Sequence, residues 1–239
     1  MSERFLRAEM LLGAPAMEKL KNSRVAVFGI GGVGSWCAEA LCRSGIGEIW
    51  LIDRDTVSES NINRQLCATY PAIGRSKAEV MAERLREINP DINVFPITGT
   101  YEAANREEFF KVNYDYIVDC IDLVACKLDL IETAQNRKIP IISALGTGNK
   151  HDASALKITD ISKTENCPLA RVVRKELRAR GIRHLPVVFS GELAMRPEDV
   201  EAPPPGRRSV PGSLVWVPAT AGMLLCQHVV MGITSPEGR

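Results

Sequence analysis

A glycine-rich hexapeptide, Gly29-Ile30-Gly31-Gly32-Val33-Gly34, follows directly on the apolar run Val25-Ala26-Val27-Phe28. This junction constrains the fold more than any other stretch. A short continuous apolar run of this kind reads as a parallel strand buried on both faces. Glycines at its end permit a tight turn and let backbone N–H groups come close to a phosphate. They open into a helix N-terminus, which favours negative charge. The junction therefore predicts a strand, a nucleotide loop and a helix over about residues 32–43.

The rest of the chain repeats that unit. Residues 48–53 read as a second strand, closing on Asp53, where a carboxylate can accept from a ribose hydroxyl. Residues 76–88 carry Val80, Met81, Leu85 and Ile88 at helical spacing, with Ser76 as N-cap and Asn89-Pro90 as stop. Further strands are expected at 92–97, 114–120 and 139–144, with a helix at 124–137. The alternation predicts an α/β chain with a doubly wound, Rossmann-like, mostly parallel sheet. Beyond residue 155 the rhythm loosens, and strands at 156–161 and 186–190 would flank a helix at 169–180. The proline-rich stretch 196–212 reads as a mobile loop. The apolar stretch 214–226, interrupted by Pro218 and Gly222, reads as a buried closing segment with no membrane span.

A formal net charge of +1 points to no partner by itself, so any nucleic-acid surface has to be a local patch. The seven cysteines are odd in number and contain no Cys-x-x-Cys pair. That argues against both a disulfide framework and a tetrathiolate zinc site. The thiols read as core residues in a reducing compartment. With no apolar signal region after Met1, the expected location is the cytoplasm.

The glycine loop accommodates NAD and ATP equally well, and the residues downstream discriminate. Arg64, within Asn61-Ile62-Asn63-Arg64-Gln65, offers a planar donor fork suited to phosphate; its plain alternative is a surface ion pair. Asn63 and Gln65 face the same choice between a ligand and the loop backbone. Asp55 lies just past the second strand, within reach of ribose or simply in a turn. Lys77 opens a helix, where a cation is mildly unfavourable unless an anion sits beside it. Asp119 and Asp122 fall at the carboxyl end of a strand, where one or two carboxylates suit Mg²⁺; Asp122 is the better candidate, and Asp119 could tie down the loop. These residues favour adenylation of a carboxylate. An NAD-binding oxidoreductase or a non-catalytic nucleotide sensor would leave Arg64, Lys77 and Asp122 idle.

Taken with Arg4-Phe5-Leu6-Arg7 at the N-terminus, the set resembles the ubiquitin-activating-enzyme-like superfamily, which includes the activators of the molybdopterin and thiamine sulfur carriers. The match covers most of the first 150 residues. Within that group the chain is most similar to the tRNA threonylcarbamoyladenosine dehydratases. The segments that carry this are 29–36, 78–84, Ile88-Asn89-Pro90, Ser162-Lys163-Thr164 and Cys167-Pro168-Leu169-Ala170. A departure stands at His151-Asp152-Ala153-Ser154, where the family often has Asp-Pro-Thr.

The resemblance implies that Gly29, Gly31, Gly32, Gly34, Asp53 and Asp55 hold ATP. It implies that Asn63, Arg64, Gln65 and Lys77 cradle the triphosphate, that Asp122 binds Mg²⁺, and that Arg7 reaches the phosphates of a neighbouring subunit in a homodimer. Residues 1–150 would form the ATP-binding adenylation region, and 151–239 a substrate-binding and dimerisation extension packed on the same domain. The implied activity is ATP-dependent cyclisation of threonylcarbamoyladenosine in tRNA. Activation of the C-terminal glycine of a ubiquitin-like sulfur carrier would use the same site and remains the alternative, as does a sulfur-transfer partner. No zinc is expected. For tRNA phosphates, the candidates are Arg171, Arg174, Lys175 and Arg178, with Arg180, Arg183, Arg207 and Arg208 nearby; an ordinary solvated helix is the alternative. Cys167, at the start of that helix, could accept sulfur or an acyl group but reads first as a packing residue. His151, His184 and His228 show no ligand spacing.

Overall fold

The computed structural model describes residues 3–196, 198 and 210–235. A 3-10 turn (Glu3–Phe5) leads into α1 (Leu6–Leu12) and α2 (Ala14–Lys21). Then follow β1 (Arg24–Phe28), α3 (Gly34–Arg43), β2 (Glu48–Asp53), α4 (Lys77–Ile88) and β3 (Asn93–Thr98). A short α5 (Arg106–Phe109) precedes β4 (Tyr116–Asp119), α6 (Val124–Asn136) and β5 (Ile141–Ala144). The chain continues through β6 (Leu156–Asp160), α7 (Pro168–Ala179), β7 (Pro186–Ser190) and α8 (Trp216–Thr234).

All seven strands share one sheet in the order β3-β2-β1-β4-β5-β7-β6, and only β6 runs antiparallel to its neighbour. The expected α/β class is therefore what forms. Successive residues of a strand point to opposite faces. Val25 and Val27 accordingly join a core with α2, α3, α4 and α8, whereas Ala26 and Phe28 join a second core with α6 and α7. From β1 the chain winds outward to β3, then returns through α5 to lay β4 on the other edge of β1. That reversal opens a crevice beyond the carboxyl ends of β1 and β4, where ligands bind in open parallel sheets.

The element boundaries differ from expectation for identifiable reasons. The strand expected at 114–120 is Tyr116–Asp119, because the Tyr114 ring turns into an aromatic cluster with Phe110 and its hydroxyl donates to the Phe109 carbonyl. The first expected helix begins at Gly34, because the preceding glycines form the loop. β6 and β7 complete the main sheet, so the chain beyond residue 150 is continuous with it.

The closing apolar segment runs further than expected. As α8 it reaches Thr234, and among the described residues it is the one helix long and apolar enough to cross a membrane. Its Val217, Ala221, Leu225 and Val229, spaced one helical turn apart, are instead fully buried in the core. Its contact with α3 is close. A Cβ on Gly222 would lie 2.7 Å from the Val33 carbonyl oxygen and 2.9 Å from both the Cys37 nitrogen and the Trp36 Cβ. Most of the proline-rich stretch, with Arg207 and Arg208, lies outside the described residues.

Candidate active site

A cleft of about 430 Å³ occupies the crevice. Two glycines of the loop are demanded by the protein itself. Gly29 has φ +91°, and a Cβ there would fall 2.7 Å from the Cys120 carbonyl oxygen. At Gly34 a Cβ would sit 1.8 Å from the Gly29 carbonyl oxygen, so the turn closes only without one. Gly31 and Gly32 line the cleft, and their nearest neighbours are side chains of Gln65, Arg64 and Pro218. They leave the loop's cleft-facing side bare for a ligand.

Asp53 staples that loop to β2. One carboxylate oxygen accepts the Ile30 N–H at 2.5 Å and the other accepts the Asp55 N–H at 2.8 Å. Burial raises its pKa, while those two N–H groups and nearby Lys77 pull against the rise. Each oxygen keeps a further lone pair for a ribose hydroxyl. Asp55 also meets Lys77, whose ammonium lies 3.2 Å from its carboxylate. Lys77 is buried at the first position of α4, with Ser76 capping that helix through the Glu79 N–H as expected. The first-turn lysine is thus fixed at the cleft wall and is no solvated surface residue.

Arg64 donates to the Ser60 carbonyl at 2.8 Å and to Asn63 Oδ1 at 2.9 Å. It is partly desolvated, which lowers its pKa, and it lines the cleft with Gln65, Asp55 and Asp122. Asn63 does not line the cleft. It holds the Arg64 guanidinium and donates to the Ser213 carbonyl at 3.0 Å. On the far side the walls are residues 145–148, Leu169 and residues 210–213. Asn149 fastens the last of these across the opening, donating its N–H to the Gly212 carbonyl at 2.8 Å and accepting the Gly212 N–H at 2.7 Å.

The remaining sequence-based candidates sit elsewhere. Arg7 is exposed on α1 and does not line this chain's cleft. Arg174 is half-buried, and its Nη1 donates to the Thr164 carbonyl and hydroxyl at 2.5 Å each, tying α7 to the preceding turn. Arg171, Lys175 and Arg178 remain exposed. Asp119, considered beside Asp122 for a cation, is wholly buried. Its carboxylate takes the Lys127 ammonium at 2.7 Å, the Ser143 hydroxyl at 2.5 Å and the Ile121 N–H at 3.0 Å. Lys127 was missed. A lone cation on the otherwise apolar face of a helix was its signal. Cys167 packs as expected: it is buried, and its sulfur accepts the Ala170 N–H. Among the described residues no three His, Cys, Asp or Glu side chains gather as a metal cage. A cation here would rest on Asp122 and the ligand's own oxygens, an arrangement Mg²⁺ accepts.

The cleft thus pairs a phosphate loop with a guanidinium, an ammonium and an amide. The model of the ThiF family matches residues 5–235.

The chain belongs to the ThiF family.

Among ThiF-family relatives, a Bacillus subtilis (strain 168) protein named tRNA threonylcarbamoyladenosine dehydratase is 41% identical over 98% of this chain and 95% of its own length. The Escherichia coli (strain K12) protein of the same name is 34% identical over 99% and 96% respectively. The E. coli enzyme TcdA, solved in complex with ATP, superposes with a TM-score of 0.88 at 36% identity over 97% of this chain and 93% of that one. It has also been solved with AMP. The fold extends to E. coli MccB, with a TM-score of 0.67 at 22% identity.

Proposed function

We propose that this ThiF-family chain activates the carboxylate of threonylcarbamoyladenosine in tRNA with ATP, and so drives loss of water and ring closure. The carrying observation is the convergence of Gly31, Gly32, Asp53, Arg64, Gln65, Lys77 and Asp122 on one cleft. Similarity over nearly the whole length of dehydratases, one of them solved with ATP, supports the same reading.

A carboxylate acylates poorly because oxide leaves poorly. In the first step its oxygen bonds to the α-phosphorus of ATP, the bond to the bridging oxygen breaks, and pyrophosphate departs. Charge gathers on the phosphoryl oxygens and on the leaving group. Arg64, partly desolvated and held by Asn63, and Lys77, buried beside Asp55, would stabilise that charge from the cleft wall. Mg²⁺, when bound by Asp122 and the phosphates, would neutralise part of the same charge. The activated carbonyl is then captured from within the modification, and AMP leaves. No protein nucleophile is needed, so positioning dominates.

A homodimer belongs to this reading. Leu6, Met10 and Leu11 on α1 and Met223 and Met231 on α8 are exposed apolar side chains, with Leu11 89% accessible. A second copy seated there would cover them and bring its α1, with Arg7, against this chain. Cytoplasmic location is the setting in which the free thiols stay reduced. A sulfur-transfer partner would meet Cys120 and Cys126 in the cleft, but burial raises both pKa values and disfavours the reactive thiolate.

The test is direct. The protein is incubated with ATP, Mg²⁺ and tRNA carrying the open modification, and the released nucleosides are weighed. Loss of one water with formation of AMP is the expected result. Turnover of a carrier protein's C-terminal glycine, with the tRNA left unchanged, would replace the acceptor.

A further inference from the structure

Away from the cleft, the C-terminal end of α7 and the segment before β7 enclose a notch lined by Ser162, Arg178, Arg183 and His184. Arg178 and Arg183 are exposed, and among the described residues neither has an ion pair. The neighbouring carboxylate, Asp160, is already engaged. It accepts the Leu185 N–H at 3.2 Å and the Ser162 N–H at 2.8 Å, and it lies 3.4 Å from the His184 imidazole. Among the described residues it makes no ion pair with either guanidinium. At the other end of the same helix, Leu169 lines the ATP cleft.

The helix connects the two places along a charged track. At 100° per residue, Arg171, Lys175 and Arg178 fall within about 60° of one another, and Glu176 points to the opposite side from Arg178. All three cations are exposed, while Val173 and Leu177 bury the other face. With a rise of ~1.5 Å per residue, Leu169 and Arg178 are separated by roughly 14 Å along the axis. A stacked nucleic-acid strand advances ~3.4 Å per nucleotide, so that length corresponds to about four nucleotides. Planar guanidinium forks match phosphate oxygens, while the Ser162 hydroxyl is already donated to Asp160.

We propose that the Arg178–Arg183 notch is a phosphodiester subsite. It would hold the strand about four nucleotides from the reacting base, with α7 as the spacer that sets this register. The proposal rests on tRNA being the substrate but adds a position and a distance that the activity alone does not dictate. A seat for an acidic protein segment would need only the charge, not a match between helix length and strand rise.

The test uses the full-length chain and its Arg178→Gln/Arg183→Gln variant. Turnover of modified tRNA is measured against tRNA concentration, and tRNA binding is measured from low to moderate salt. The expected result is a KM for tRNA raised by ~10-fold or more with kcat within about twofold. The slope of log affinity against log salt should flatten by about 1.5, as loss of two phosphate contacts requires. Oligonucleotides carrying the anticodon loop should lose the difference between wild type and variant once their arm ends within about two nucleotides of the reacting base. An unchanged KM and salt slope in the variant overturns the subsite, as does polyglutamate competing as well as oligouridine. If wild type binds tRNA but does not turn it over, the proposed activity fails, and the binding slopes alone decide for or against the notch.

Discussion

Replacing Lys127 with methionine isolates the interaction that holds the two strand ends flanking the cleft. The ammonium and the Asp119 carboxylate are both fully buried and 2.7 Å apart. The other two ammonium donors go to the Ser143 hydroxyl and the Ala144 carbonyl, each at 3.0 Å. One cation thereby ties β4 to β5 just where Cys120 and Leu145 enter the cleft wall. Methionine fills a similar volume but leaves a carboxylate buried without its partner. Breaking one side of such a pair costs about 3–5 kcal/mol, a large part of the 5–15 kcal/mol typical of a folded domain. In urea titration, a slope of roughly 3 kcal/mol per molar turns this into a midpoint lower by about 1–1.7 M. Adding Asp119→Asn removes the unpaired charge while keeping an oxygen for the Ile121 N–H. The double variant should therefore recover about 1–2 kcal/mol over the single one. A Lys127→Met protein within ~1 kcal/mol of wild type, or a double variant weakened additively, would refute the argument that a desolvated charge pair governs this part of the cleft.

Arg64→Ala should lower kcat for ATP-dependent cyclisation by ~10²-fold or more while thermal unfolding stays close to wild type, since its partners are a loop carbonyl and a loop amide. Near-normal turnover would remove it from the site, and the same comparison applies to Asp122→Ala. Gly34→Ala places a Cβ 1.8 Å from the Gly29 carbonyl oxygen, so calorimetry should find ATP binding lost; retained affinity would show that the loop opens freely. Glu39 tests the acid limb of stability. Burial alone would raise its pKa, but hydrogen bonds from Arg84 and Arg43 outweigh this and the folded-state value is lowered. Its contribution is therefore present above the unfolded value near 4.5 and is lost as pH falls through the folded one. Glu39→Gln should flatten the fall in unfolding free energy below about pH 4.5; an unchanged acid limb contradicts the pairing.

What could be read in advance depended on how local each feature is. The strand, glycine loop and helix at residues 24–43 form within one contiguous segment, and so did their prediction. Lys77 and Asp55 were each identifiable as candidates. That they face one another follows from the isolated bridge pairing Thr56 with Ser76, a tertiary event with no periodic signal. Lys127 escaped because its meaning depends on two residues from different strands. The tether of Arg174 to the turn at Thr164 was also illegible, since in composition it matches its exposed neighbours. The insertion of β7 between β5 and β6 was likewise invisible, since strand order beyond the regular alternation is set by packing rather than by neighbours in the chain.

The close seat of α8 on α3 has a consequence for biosynthesis. Pro218 lies over Gly32, and Gly222 touches the backbone of Val33 and Cys37, so the last described helix forms the outer wall of the first nucleotide-binding element. During translation at ~5–20 residues per second, the loop leaves the ribosome on the order of ten seconds or more before α8 does. The nascent chain passes that interval with the back of its phosphate loop uncovered. Competence to capture nucleotide should therefore arrive late and all at once, and ribosome-stalled chains ending before residue 216 should not retain ATP.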